Sequence, residues 1–224
     1  MIPLRDYLPT RRPALVNTAL IVANVFFYVY YFGLVFAPSD TQFSAVSQYL
    51  MIPARISHGQ GLETLVTAMF MHASLLHLGG NMLFLYIFGN NVEDELGHLR
   101  YLLFYFLCGI AGGLAQTVVD PSARIPSLGA SGAIAGVLAA YVVLFPRAAV
   151  QTVVLLGFIP LFFRLPAFIV IGLWIAAQFL AGYAQLGAPA QLAQGGVGYF
   201  AHIGGFVSGL ILVEAMRPRQ TIHR

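Results

Sequence analysis

The chain has 224 residues, of which 59% are apolar and 8% charged, and its mean hydropathy is +0.81. That composition excludes an ordinary soluble domain and predicts a polytopic membrane protein embedded in a lipid bilayer, with residues 1–224 forming a single membrane domain. The formal charge of +3 is small, and its eleven basic residues, all arginine, are dispersed, which excludes a nucleic-acid partner.

The chain opens MIPLRDYLPTRRP, with charges and prolines ahead of any apolar run. This pattern predicts no cleavable leader, so the first apolar segment is expected to stay in the membrane. Segments of spanning length follow at about 14–36, 74–90, 99–119, 128–145, 166–183 and 199–216, predicting an all-α fold of six membrane helices. Between the first two, Ser39–Thr64 is a long connection with Pro53 and Gly59–Gly61, expected to be semi-structured at the outer surface. Val150–Phe163 is apolar, rich in β-branched residues, interrupted by Gly157 and Pro160 and too short to span, so it is expected to be interfacial or re-entrant. Ala184–Gly198 reads as a Gly/Gln/Ala loop.

Arg5, Arg11, Arg12, Arg100, Arg147, Arg164, Arg217, Arg219 and Arg224 fall on one side of this arrangement, and only Arg55 and Arg124 on the other. The positive-inside rule then predicts cytoplasmic termini. Exclusive use of arginine hints at a GC-rich genome and no more. The expected location is a bacterial cytoplasmic (inner) membrane. Cys108, the single cysteine, excludes an internal disulfide and is read as packing.

The fourth segment begins with Gly-Ala-Ser-Gly. Gly132, Gly136 and Ala140, with Ser131, Ala135 and Ala139, make two adjacent smooth rows, predicting the central helix of the bundle. Ser131 lies in its first turn, where free N–H groups and the helix dipole favour a developing negative charge. The sixth segment reads A-H-I-G-G-F-V-S-G, so Gly205 and Gly209 lie on the face of His202. Packed together, these two faces bring an imidazole to a serine hydroxyl, a nucleophile with its base. The second segment opens M-H-A-S-L-L-H-L-G-G-N-M, with His77 and Asn81 one turn apart and His72 about a turn higher. Ser131, His202 and His77 share one depth, about 23 Å from the inner boundary of their helices at 1.5 Å per residue, placing the site in the outer half of the bilayer.

Alone, Ser131 reads as a small packing residue and His202 as a satisfied interhelical hydrogen-bonding group; the matching faces and depth favour catalysis. A zinc site from His72, His77 and His202 is disfavoured, because the five-residue spacing turns the first two apart and no partner carboxylate or H-E-x-x-H run is present. No metal and no cofactor are expected. Glu214 is about 18 Å from His202 along its helix, and the remaining acids lie at the surfaces, so a serine–histidine dyad is predicted, its imidazole held by packing.

G-A-S-G at Gly129–Gly132, H-x-x-x-x-H-x-x-x-N from His72 to Asn81 and A-H-I-G-G-F-V-S-G from Ala201 to Gly209 together resemble the rhomboid intramembrane serine proteases. The resemblance extends to I-P-L-R-D-Y-L-P-T-R-R and F-G-N-N-V-E-D-E-L-G. It implies a six-helix rhomboid-like bundle that hydrolyses peptide bonds in or near the transmembrane segments of other proteins. Ser131 would be the nucleophile, His202 the base, His77 and Asn81 the oxyanion donors, and His72 a supporting hydrogen-bonding group. Gly129, Gly132, Gly205 and Gly209 would be packing residues. The chain departs from the resemblance twice: many rhomboids carry a Trp-Arg pair in the outer loop, whereas the only tryptophan here is Trp174, and some stack an aromatic on the histidine from the position of Ala135. The competing readings are a non-catalytic relative that binds membrane clients, which would lack the serine or the histidine, and a small transporter, which would show polar groups through both leaflets.

Overall fold

A computed structural model describes residues 1–35, 46–186 and 197–218. Strand β1 (Ile2–Asp6) precedes helix α1 (Leu15–Val35), and two short helices follow, α2 (Pro53–Ile56) and α3 (Thr64–Thr67). Helix α4 (Leu75–Phe84) passes through a π-helical segment (Leu85–Gly89) into α5 (Asn90–Leu96), and α6 is His98–Val119. Helix α7 (Ser131–Leu144) leads to strands β2 (Ala149–Leu156) and β3 (Ile159–Pro166), then to α8 (Ala167–Leu186) and α9 (Tyr199–Met216). Among the described residues, α6, α8 and α9 are long and apolar enough to cross a membrane. The arms Thr64–Phe70 and Leu75–Leu96, bent by 97°, make a fourth span if taken together, and the apolar runs Leu15–Tyr31 and Ser131–Leu144 are shorter. Residues 36–45, which hold the end of the first predicted span and the start of the predicted outer connection, and 187–196, most of the predicted Gly/Gln/Ala loop, lie outside the described residues.

The structure corrects two expectations. Helix α7 starts at Ser131, later than predicted, because Gly129 adopts φ +119°, which a helix cannot continue through. Its 14 residues rise about 21 Å, short of the roughly 30 Å hydrocarbon core. The fold is also not all-α: β1, β2 and β3 form an antiparallel sheet in that order. Val150–Phe163, expected to be interfacial or re-entrant, is therefore a β-hairpin, a secondary structure that expectation left open. Val150, Thr152, Val153 and Val154 favour extended backbone, and the two-residue Gly157–Phe158 turn has φ +63° at the glycine, as a tight hairpin turn with a leading glycine requires. The β1 strand was hidden by its short, proline-containing sequence.

Helix α7 is central, as its smooth faces predict: every residue from Gly132 to Tyr141 is buried. It packs on α9 almost backbone to backbone. A Cβ on Gly205 would collide with the Gly132 carbonyl, and one on Gly209 would lie 2.6 Å from the Cα and carbonyl oxygen of Gly136. On the other side of α9, a Cβ at Gly204 would meet Ala115 of α6.

Polar side chains close the end of the bundle opposite Ser131. Glu93, almost fully buried, accepts from the backbone N–H groups of Val16 (2.9 Å) and Asn17 (2.7 Å), satisfying donors that the start of α1 leaves open, and pairs with His98. Asn17 donates to the Leu85 carbonyl (3.0 Å) at the start of the π segment and accepts from Tyr101 of α6 (2.8 Å). Asp6 at the end of β1 accepts from Asn91 (2.6 Å) and from Tyr141 of α7 (2.8 Å), tying the sheet to the bundle. Burial pushes the Asp6 carboxyl up from its ordinary range, against the lowering effect of the Tyr141 hydrogen bond.

The backbone contact gives a direct test. Gly205→Val forces a branched side chain into the Gly132 carbonyl and should cost about 3 kcal/mol or more, the upper end of overpacking penalties. Gly172→Ala on α8, where a Cβ meets nothing within 4 Å, should leave stability unchanged or slightly raised. Thermal unfolding midpoints in detergent check both.

Candidate active site

The turn before α7 fixes the site. Ser127 forms an isolated bridge with Met51, its N–H donating to the Met51 carbonyl (2.7 Å), and the Gly129 N–H donates to the Ala68 carbonyl (2.8 Å). At φ +119° the backbone at Gly129 disfavours any side chain, and a Cβ there would lie 2.8 Å from the His77 ring and 3.5 Å from Asn81 Nδ2. The glycine thus lets His77 and Asn81 of α4 close on the backbone two residues before Ser131. Ser74 caps α4, accepting from the His77 N–H (3.1 Å), which holds His77 in the first turn.

The close approach of α7 and α9 brings the Ser131 hydroxyl to His202. Ser131 Oγ lies 2.7 Å from His202 Nε2, and the ring is 8% exposed. On its other side, Nδ1 lies 2.7 Å from Oε1 of Gln178 on α8. The Gln178 amide is oriented by its own donation from Nε2 to the Trp174 carbonyl (3.3 Å), so Oε1 is the atom left to face the imidazole. An amide oxygen can only accept, so His202 carries its proton on Nδ1 and presents the bare Nε2 to the serine. That tautomer can take the hydroxyl proton. Trp174 lies against the same ring, with centroids 5.6 Å apart and planes tilted by 34°.

The imidazole is therefore not held by packing alone, as the sequence reading had it: a hydrogen bond from α8 and an aromatic ring from the preceding turn orient it. The aromatic beside the imidazole thus comes from α8 and not from position 135, where the chain has alanine. The sequence did carry a signal for Gln178, since an amide in the middle of an apolar span, four residues after Trp174, is costly there unless it has a partner.

His72, predicted a turn above His77, lies outside the helix in the segment between Phe70 and Leu75. Its Nε2 accepts from Asn81 Nδ2 (2.9 Å), and its ring lies 5.1 Å from that of His77. Gly132, Gly205 and Gly209 all lie in the α7–α9 contact. Cys108 is buried beside Gly136, away from the dyad. A cavity of about 40 Å³ opens beside Ser131, lined by Met69, Leu128, Gly132, Ala133, Gly198 and Ala201.

The family model described as the Rhomboid domain matches residues 59–219, covering every residue of this constellation. The chain belongs to the rhomboid family. Rhomboids are helical polytopic membrane proteins, and this one is a membrane protein. It is 34% identical over 168 residues to Rhomboid protein 1, mitochondrial, of Saccharomyces cerevisiae, covering 70% of this chain and 44% of that protein. It is 34% identical over 151 residues to Rhomboid-like protein 11, chloroplastic, of Arabidopsis thaliana, covering 66% and 50%. Over 85 residues it is 44% identical to Rhomboid protease GluP of Bacillus subtilis, covering 37% and 16%. The chain thus spans about half the length of the first two curated relatives or less. Their names include a mitochondrial and a chloroplastic protein, so they do not support the expected bacterial inner membrane.

Gln178→Leu should lower the labelling rate of Ser131 by a fluorophosphonate about tenfold or more, a part of the roughly hundred- to ten-thousandfold that a positioned general base supplies, while the unfolding midpoint changes little. Gln178→Glu, which keeps an acceptor, should label faster than Gln178→Leu. Equal labelling of the leucine variant and the parent would count against the tautomer assignment.

Proposed function

We propose that this rhomboid is an intramembrane serine endopeptidase that cuts other membrane proteins in or near their transmembrane segments. The observation that carries the reading is the 2.7 Å contact between Ser131 Oγ and His202 Nε2, with Nδ1 engaged by Gln178. Ser131 attacks the scissile carbonyl while His202 takes its proton, and the same imidazole returns that proton to the leaving amine. Water then releases the acyl group by the reverse route. The oxyanion is received by the Ser131 backbone N–H at the start of α7, with Asn81 and His77 as side-chain donors. His72 holds Asn81. Neither a metal nor a cofactor takes part.

An intact apolar helix is a poor client, because its carbonyls are hydrogen-bonded internally and shielded. A segment able to unwind near the level of Ser131 fits better. Helix α8, exposed over much of its length and the weakest-packed neighbour of His202, supports sideways entry past it. The cavity of about 310 Å³ lined by Met1, Pro3, Phe84, Phe88, Leu138 and Trp174 lies at the sheet end and does not reach Ser131. The small cavity beside Ser131 favours a residue with a short side chain at the cut. We read the chain as crossing the bilayer six times, with α1, the α4–α5 helix, α6, α7, α8 and α9 as spans, arginine-rich termini on the inner side and Ser131 in the outer half. GluP, by its name a protease, supports an active reading.

Ser131→Ala and His202→Ala should each abolish cleavage of a reconstituted transmembrane substrate, with the unfolding midpoint retained. Persistent cleavage by the Ser131→Ala protein would overturn the assignment. Asn81→Ala should lower turnover by roughly ten- to a thousandfold, as deletion of an oxyanion donor does, with little change in KM. A raised KM at unchanged turnover would remove Asn81 from that role.

A further inference from the structure

Beyond the reaction, the β2–β3 hairpin is built along its length in an unusual way. Its root carries polar groups on one face: Arg5 and Tyr7 both donate to Gln151 Oε1 (2.9 and 2.8 Å), and the guanidinium groups of Arg5 and Arg164 lie 4.8 and 4.7 Å from the Tyr7 ring centre. From Ala148 to Phe163 there is no charged residue.

Cross-strand partners share a face, so Val153 with Phe162 and Leu155 with Pro160 line one side of the outer half. Val154 with Leu161 and Leu156 with Ile159 line the other. Both faces of the tip are thus apolar, and among the described residues neither is covered: Leu156 is 67% exposed, Ile159 61% and Phe162 59%, while Phe158 at the turn is fully exposed. A sheet with one side on a protein and one in water would alternate apolar and polar residues. A hairpin apolar on both faces is suited to an apolar medium on both faces.

We propose that the tip of this hairpin is immersed in the interfacial zone of the bilayer, in the leaflet opposite the dyad. The hairpin is continuous with the membrane span α8, which starts at the residue after β3, and its exposed apolar surface runs on into the exposed Phe168 and Leu173 of that helix. The backbone limits the depth. Among the described residues, β2 has no partner on the β1 side beyond Val153, and β3 is an edge along its whole length. Unpaired strand edges do not occur in the hydrocarbon core. The strands therefore stay among headgroups and water while Leu156, Phe158 and Ile159 reach the acyl chains, as amphipathic interfacial elements do. Pro160 removes one edge donor near the tip. Arg147, Arg5 and Arg164, all exposed at the root, face the phosphate layer.

The test is site-directed spin labelling of the full chain in phosphatidylcholine/phosphatidylglycerol vesicles. Cys108 is fully buried and out of reach of the reagent. Labels at Phe158→Cys and, as a second tip position, Leu156→Cys should be relaxed several-fold more by oxygen than by a water-soluble nickel chelate. A label at Arg164→Cys should show the reverse order. Tip labels open to nickel would overturn the proposal, and spin–spin broadening at the tip would replace the lipid with a second copy of the chain. None of these readings depends on cleavage, so they stand apart from the fate of the protease assignment.

Discussion

The contact on which the site depends is the approach of α7 and α9 without intervening side chains. Gly132, Gly136, Gly205 and Gly209 let one helix backbone rest on the other. In a membrane this is a main source of association, because lipid is as apolar as the core and only close packing distinguishes them. Ser131 is the first residue of one helix and His202 lies in the first turn of the other. Their 2.7 Å separation therefore follows from backbone geometry and not from flexible side chains. A displacement of even one ångström would break the hydrogen bond, so the close backbone packing of Gly205 on Gly132 directly beside the site holds its geometry.

The third helix acts differently. Helix α8 meets the core mainly through Val170 and Ile171 near its start, and much of its length faces outward. Yet it supplies both Gln178 and Trp174 to His202. The serine and histidine are positioned by a rigid pair of helices, while the tautomer of the imidazole depends on a less enclosed one. Any outward movement of α8 would separate Gln178 from Nδ1. In the proposed reaction, proton transfer is thereby tied to the place of the helix past which a client would enter.

Small-residue periodicity made the core of this arrangement legible in the sequence. The spacing of Gly132/Gly136 against Gly205/Gly209 identified the central helix and foretold that Ser131 and His202 meet, since close approach needs glycine whatever surrounds it. Helix α9 lies over the predicted 199–216 because its apolar run has clear ends. The misses have physical causes. Gln178 was passed over because its role arises only when α8 rotates toward α9, which the periodicity of α8 alone does not encode. The sheet was missed because pairing of Ile2–Asp6 with Val150–Val153 joins segments far apart in sequence. Hydropathy could flag the β2–β3 stretch as apolar, but apolar runs of that length do not distinguish strand from helix.

The sheet also shows how the end of the bundle opposite Ser131 is held by hydrogen bonds as well as by apolar packing of Val150 and Leu165. The carboxylates of Asp6 and Glu93 join β1, α1, α5, α6 and α7 through hydrogen bonds from Asn91, Tyr141, His98 and the first N–H groups of α1. Each carboxylate is met by donors from separate elements, so its burial is compensated and its geometry is over-determined. Tyr141 and Ser131 lie at opposite ends of the same buried helix, one fixed by Asp6 and the other by the Gly129 turn. Anchored at both ends and packed on glycine along its length, α7 can serve as the fixed frame against which α8 and α9 set the histidine.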